Sequence, residues 1–587
     1  MKKSLLSLVA SFMACMAIAD GIYYHPDFYF DKMSSNGKWL ATQTMGTVYI
    51  YDRDKDTYYE FIASEDAVSE YYATGIGNCW SDDGILVGSV NDVDCAYWMD
   101  EEWNELPINR EENLGLNMAN GITPDGSRIV GSVGISSISI YSEQMIKPVY
   151  WDRLPDGSYD MYKELPYPAT DFCGRVPQYI SAVCISDDGK TILGQIVDWS
   201  GWYIYPIVYQ QQADGSWTYK TYAEGILYPK GSTFGVWPGE EPTAPNGTEF
   251  MSEEELAVYS VDYNNYMDAY NKFLNDQLDW EDVPEEPNPA DYIKDADRLA
   301  AYLAALQEYQ DTLNEYYRKS SEFEMQLANT MYGNSFIFNN LYISGNGKYI
   351  NSTIKGVDVS DPTRPKSVHT PTRIDLNDGS ITSVAGATDM IASSVMNDGR
   401  SIAQNPFMAY GRNSFIVSTD GKTMTPFIDY LAQMNYDAWE FVKDISTYDV
   451  LYVESYDDYG NPSYGVYNDS IVVGSVHCNS NGTIFTSFMY DEWSEGNVTR
   501  QFSYQIDFNE FEGVENIEND AIGAYAVNNT LYLKGDAEKV TIYNLQGAVV
   551  ARYNNPSSTI ALHLTGGIYL VEVSDKACSY VNKVIIK

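Results

Sequence analysis

Short runs of alternating apolar and polar residues recur from about residue 28 to about residue 506, cut at intervals by turn residues. Four follow one another in "MANGI" (118–122), "SRIVGSV" (127–133), "KPVYWDR" (147–153) and "SYDMYKEL" (158–165). Alternation with period two puts successive side chains on opposite faces of a strand. "TPDG" (123–126) parts the first two runs and "LPDG" (154–157) the last two. In each turn Pro presets φ, Asp bonds back to the backbone and Gly takes a positive φ. The spacing predicts an antiparallel meander of four strands.

The first of these turns has company. "WSDDGILVGS" (80–89) and "ISDDGKTILGQ" (185–195) are close copies of "ITPDGSRIVGS" (122–132). Looser ones are "MSSNGKWLAT" (33–42), "ISGNGKYINST" (343–353), "VMNDGRSIAQ" (395–404) and "VYNDSIVVGS" (466–475). Meanders are expected at 28–62, 75–107, 118–165, 179–222, 336–384, 389–428 and 463–506, with the third strand of 336–384 unclear. A single meander cannot bury both faces. Radial repetition stacks each sheet on the next and shortens the exposed edges, as in a β-propeller. The expected fold is mainly β, a seven-bladed propeller over residues 20–506, with six or eight blades as the neighbouring solutions. A parallel β-helix is the rival repeat fold, but its short coils lack two Asp-Gly hairpins per unit. The turns resemble the "S-x-D-G-x-x-V-x-G" units of HAF-type repeats and the "S-P-D-G-K" units of TolB-like, WD40-like propellers. The resemblance spans about residues 22–506 and implies a propeller without implying a function.

Two stretches break the pattern. After a Gly- and Pro-containing segment, "SEEE" at Ser252–Glu255 has the form of a capping box. Leu256, Tyr259, Tyr263, Tyr266, Tyr270 and Phe273 follow at steps of three and four. "DWEDVPEEPNP" (279–289) interrupts, Asn288 can cap a second helix, and Leu299, Tyr302, Leu306, Tyr309, Leu313, Tyr316 and Phe323 resume the heptad, with Ser320 as a gap. The spacing predicts that 252–330 is an inserted antiparallel coiled-coil hairpin. Its second helix would run ~55–60 Å at 1.5 Å per residue. Its acids (Glu253, Glu254, Asp262, Asp268, Asp276, Asp295, Asp297, Glu308 and Glu315) would attract a basic surface, so the arm is the candidate contact for an extracellular protein or glycan, with a solvated spacer as the alternative.

The second exception is the end of the chain, where strands carry "VTIYNLQGAVV" (540–550), "LTGGIYLVEV" (564–573) and a final "KVIIK" (583–587). These pieces resemble the type A C-terminal sorting domain of the Por (type IX) secretion system of Bacteroidetes, with Gly547, Gly566, Gly567, Tyr569 and Lys583 at the motif positions. The resemblance implies an immunoglobulin-like β-sandwich over 514–587, a linker at 507–513, a type IX secretion machinery as partner, and a secreted or outer-membrane surface-attached chain. A plain binding sandwich is the alternative. At the other end, "MKK", an apolar run and "AIA" (17–19) read as a signal peptide over 1–19, cleaved between Ala19 and Asp20. The rival there is a lipobox at "FMAC", with lipid on Cys15.

Charge narrows the partners: a net charge of −47 repels phosphates, so neither nucleic acid nor anionic lipid is expected. The 51 tyrosines are explained by sheet content. Catalytic signals are scarce. His25, His369, His477 and His563 are scattered, no Cys-x-x-Cys pair occurs, and no nucleophile elbow or zinc-protease motif is found. "DRDKD" (52–56) spaces aspartates as calcium loops do but lacks the following Gly and distal Glu, so it reads as a hairpin turn. Cys79 and Cys95 fall on first and third strands of one blade, roughly 9.6 Å apart and beyond disulfide reach. Cys173 and Cys184 could pair or stay free. No catalytic residue, cofactor or metal site is assigned. The expectation is an exported binding or scaffold protein, the alternative a propeller enzyme acting on glycans or peptides. Two close carboxylates with converging aromatics at the central funnel would favour the enzyme.

Overall fold

The structure, a computed structural model, describes residues 16–19, 21–26, 28–44, 47–62, 71–72, 79–90, 94–110, 117–134, 146–228, 230–231, 235, 237–275, 277–330, 335–358, 366–405, 414–456, 462–491, 500–511, 523–527, 530–534, 537–544, 548–564, 567–574 and 579–586. Among them the chain is mainly β, built from antiparallel sheets of four strands. Six run in sequence order: 32–62, 71–105, 118–164, 179–221, 335–383 and 391–426. In the fifth, the strand that the sequence left unclear is Lys366–Asp375. In the second, the inner strand is Tyr71–Tyr72 with a further bridge at Trp80; 73–78, with most of the expected "GIGNCW", lie outside the described residues.

The seventh sheet departs from expectation. Its first three strands are Ser475–Cys478, Ile484–Asp491 and Arg500–Asp507, so its turn is "NSNG" (479–482), not "VYNDSIVVGS". The expected first strand belongs instead to Pro462–Ile471, which pairs with Thr447–Tyr456 in a separate hairpin. The physical reason is the glycine. Gly482 has φ +67° and takes the left-handed region with no Cβ penalty, more cheaply than the Asn or Asp of "NDS" would. The fourth strand comes from the opposite end of the chain: Ile22–His25 pairs with Arg500–Asp507, Ile22 facing Ile506 and His25 facing Ser503. Met16–Ala19, which contains the predicted cleavage-site residue Ala19, pairs outside it. Asp20 lies outside the described residues.

The repeated turn has a repeated mechanism. The first residue's hydroxyl bonds to the third residue's side chain: Ser34 to Asn36 (2.8 Å), Thr123 to Asp125 (2.7 Å), Ser186 to Asp188 (2.8 Å), Ser344 to Asn346 (2.8 Å). The same oxygen accepts an N–H from the returning strand, at Trp39, Arg128, Thr191 and Tyr349. Each hairpin therefore closes on its own side chains. The turns then bond to one another. Asn36 N–H donates to Asp82 Oδ1 (2.8 Å), Asp82 N–H to Pro124 O (2.6 Å), the Arg128 guanidinium to Gly189 O (2.8 Å) and Asp187 N–H to Gly345 O (2.7 Å). Asn346 N–H continues to Asn397 Oδ1 (2.7 Å), Asn397 N–H to Ser480 O (2.7 Å), and the Asn479 amide to Ser35 O (3.2 Å). The last link returns to the first turn.

The first and last sheets are clasped by more than turns. Arg53 reaches Asp507 (3.0 Å) and Glu510 (3.2 Å), with Arg53 and Asp507 only 8% and 4% exposed. Its guanidinium lies over the Tyr23 ring, whose hydroxyl donates to Glu510. His25 packs edge-on against Phe30 and Tyr51 of the first region, its Nδ1 2.8 Å from the Tyr58 hydroxyl. "DRDKD" is a turn, as expected, and this clasp is what its arginine does. Beyond the sheet, Phe508 and Phe511, in the segment expected to be linker, are buried in the same core.

The insertion contains helix α1 (Glu253–Leu274), with the Ser252–Glu255 capping box in place, and helix α2 (Ala296–Thr330). They do not form the expected antiparallel hairpin. Their N-terminal ends meet: Arg298 binds Glu255 at 2.8 Å, and Lys294 N–H donates to the same carboxylate. In an antiparallel pair Glu255 would face the C-terminal end of α2. The α1 stripe of Tyr259, Tyr270 and Phe273 is instead covered by Tyr292 and Trp280 of the proline-containing connection that folds back along it. The α2 stripe meets Phe250 and Trp237, through Tyr302 and Phe323. Heptad spacing marks an apolar stripe but not its partner, and extended chain carrying aromatics covers one as well as a second helix does. Asn288 caps a short 3₁₀ turn at Pro289–Asp291 rather than α2, whose first N–H groups bond to Asp295.

In the tail, the strands Gly523–Val527, Thr530–Lys534 and Thr559–Ala561 form one sheet, and Val549–Asn554, Lys539–Asn544, Gly567–Ser574 and Ser579–Ile586 another. Leu531, Val540, Ile542, Val571 and Val573 bury one core between them.

Replacing Arg53 with Met leaves Asp507 buried without its cation, which costs about 3 kcal/mol. Urea unfolding should show that loss, and amide exchange at residues 22–25 should accelerate. The exposed pair at Lys38 should change stability by less than about 1 kcal/mol on Lys38→Ala.

Candidate binding cavity

Two residues before each turn, the inner strands carry Lys32, Cys79, Gly121, Cys184, Tyr342, Ser394 and His477. Five of these seven equivalent positions (Lys32, Cys184, Tyr342, Ser394 and His477) line one cavity of about 340 Å³. Gly121 carries no side chain there because an added Cβ would lie 3.0 Å from Val183 O of the next sheet. The turns converge beside the cavity. Ser480 Oγ reaches Asp187 at 3.4 Å, and a Cβ on Gly345 would collide with both.

The lining holds one ion pair, Lys32 to Asp31 at 2.8 Å. Burial opposes the charge on Lys32, but Asp31 outweighs it and keeps its pKa above the usual lysine value. Burial pushes the thiols of Cys79, Cys184 and Cys478 up to about 12, so they stay protonated and unreactive. Burial pulls His477 down to about 4, so its imidazole is neutral at pH 7. Its Nδ1 lies 2.9 Å from Ser393 Oγ, which also lies 2.9 Å from Val476 O. Asp31, held by Lys32, is the one carboxylate among the described residues of the lining, and these do not assemble the pair that glycoside hydrolysis requires. The cavity can receive a small polar ligand through a cation, a neutral imidazole and hydroxyls.

A second cluster lies under the loops of the fourth sheet, where ligand atoms of Asp171, Cys173 and Asp198 fall within 4.8 Å of one another. Its carboxylates already accept backbone N–H groups: Asp171 from Cys173, Arg175 and Trp199, and Asp198 from Trp202 and Tyr203. Burial raises the Cys173 thiol far above its ordinary value, whereas metal ligation needs a thiolate. The cluster organises loops. Cys173 and Cys184, which the sequence allowed to pair, keep their thiols unoxidised, as do Cys79, Cys95 and Cys478.

Of the sorting-motif positions, Tyr569 is buried in the tail core, Gly567 opens its strand and Lys583 lies within the last strand. Gly547 and Gly566 fall outside the described residues. The cavity ring was missed from the sequence; aligning the residue two before each turn would have found it.

Residues 524–587 match the family model of the secretion system C-terminal sorting domain, which indicates secretion and cell-surface attachment through type IX machinery. Among the described residues no helix is long and apolar enough to cross a membrane. No curated protein matches the chain. Among solved structures it is similar to the tricorn protease, at 10% identity and a TM-score of 0.29, over 94% of this chain and 47% of that one. A prolyl endopeptidase gives 10% and 0.30, over 78% and 54%. The periplasmic gluconolactonase of Pseudomonas aeruginosa gives 9% and 0.27, over 83% and 96%. The chain thus spans about half the length of the first two.

The low pKa of His477 makes stability depend on pH. Its folded value, about 4, lies below the unfolded value near 6.5, so the unfolded chain takes up the proton first as pH falls. The contribution is complete above about pH 6.5 and is lost on the way down to 4. Between pH 6.5 and 4.5 the native chain should lose roughly 2 kcal/mol more than His477→Gln does, as measured by urea unfolding at both values.

Proposed function

We propose that this is an exported, surface-displayed binding protein: a seven-bladed β-propeller with an inserted helical arm and a C-terminal immunoglobulin-like sandwich that serves as the type IX sorting domain. The observation that carries the export reading is the sorting-domain match over residues 524–587. The ring reading is supported by the circle of turn-to-turn hydrogen bonds and by the strand 22–25 that completes the seventh sheet. Binding without bond cleavage is favoured over an enzyme for glycans or peptides, because the cavity offers a neutral imidazole and protonated thiols but no free acid–base pair. In this reading the arm presents its acidic faces to an extracellular partner, and residues 1–19 are removed before Asp20.

The test is export in the source bacterium. The complete chain should be digested by protease added to intact cells, and a chain lacking 514–587 should accumulate inside, folded and protected. Equal surface digestion of both would refute the proposal.

A further inference from the structure

The loops above the Asp171–Asp198 cluster present aromatic rings in an unusual setting. The Arg175 guanidinium is sandwiched between two indoles, its central carbon 3.6 Å from the Trp199 ring centroid and 3.5 Å from that of Trp237. Trp237 in turn meets Phe323 and Tyr316 of α2 edge-on, so the sandwich sits at the base of the arm. Three residues beyond Trp199, Trp202 is 80% exposed. Solvent contact on that scale is unfavourable for an indole, and a flexible loop would fold it away. This loop is fixed. Asp171 Oδ2 accepts the N–H of Trp199 (3.1 Å), Asp198 Oδ1 accepts that of Trp202 (3.1 Å), and Gly201 turns the chain at φ +76°. Gln178 braces it by donating to Trp199 O (2.9 Å). Two buried carboxylates thus fix the backbone at both tryptophans, and the Trp202 side chain leaves it into solvent.

Arg175 adds a charge with work left to do. Among the described residues no carboxylate lies within ion-pair distance of it; Asp171 and Glu324 favour its charge from farther off, and Asp171 is engaged by backbone N–H groups. Stacking occupies the two faces of the guanidinium and leaves the donors at its edge, which match a carboxylate in a fork of two hydrogen bonds. We infer that Trp202, Trp199 and Arg175 form a binding platform for a glycan that contains uronic acid. The C–H face of a pyranose ring lies on the exposed indole, attracted to its negative π face, and the sugar carboxylate meets the guanidinium edge. The chemistry favours a sugar over a protein. The apolar elements are separate flat rings among polar groups (Gln178 and Ser200), not the continuous ~800 Å² per side of a stable protein interface. The inference gives a ligand class to the binding-protein reading and rests on it.

The test uses the complete purified chain, so it does not depend on whether export occurs as proposed. Titration calorimetry with tetragalacturonic acid should show binding. Its methyl ester, without charge, should bind roughly tenfold more weakly, as should the acid to Trp202→Ala and to Arg175→Lys. Trp280→Ala, which removes a tryptophan 60% exposed on the arm, should bind as the native chain does. Amide exchange confirms that each variant is folded. No binding of the acid, equal binding of the ester, binding of hexaglutamate with equal affinity, or an unchanged Trp202→Ala would each overturn the platform. Abolished export with intact sugar binding would refute only the export reading.

Discussion

The oxygen of the first side chain in each Ser-x-Asp-Gly turn does two things at once. It fixes the third residue's side chain and receives the returning strand's N–H, so each hairpin is closed before it meets a neighbour. The backbone groups left over are the ones that bond across to the next turn, as Asp82 N–H does to Pro124 O and Asp187 N–H to Gly345 O. A four-stranded sheet standing alone exposes two faces and two edges. Turns that hold themselves and also reach sideways let the sheets be joined without extra chain. The third sheet substitutes Thr123 and Pro124 and keeps the geometry, while the sixth replaces the hydroxyl with Met396 and is linked on both sides through Asn397.

What the turns begin, the seventh sheet completes. Its fourth strand is drawn from residues 22–25, so the two ends of a region nearly five hundred residues long share one set of ladder hydrogen bonds. Such pairing is costly in chain entropy. The buried Arg53–Asp507 pair, the cation–π contact on Tyr23 and the enclosed His25 ring all lie at this seam. The cavity depends on the same closure, because Lys32 and His477 come from the first and seventh sheets and lie on opposite sides of it.

Much of this was legible in the residues. The turns gave six of the seven sheets with nearly their observed strands, and the capping box placed the start of α1. The rest was not, for identifiable reasons. Alternation in "SYGVY" and in "SVHC" is equally good for a strand, and the glycine at 482 favours the second by taking the left-handed region more cheaply than Asn or Asp. Pairing of 22–25 with 500–507 leaves no local mark, since antiparallel partners need not be near in sequence. The aromatic stripes of the arm predicted what is covered but not that proline-containing chain would do the covering. The loop carboxylates Asp171 and Asp198 look like any surface acid until the backbone N–H groups converge on them.

The central claim is that seven sheets close into one ring, sealed by the first strand. Cryo-electron microscopy of the purified chain tests it most directly. A disc of seven spokes around a central opening is expected, with density for residues 22–25 beside 500–507 on the spoke that carries 475–507. An open arc, another number of spokes, or a seventh spoke completed by a strand from elsewhere in the chain would contradict it.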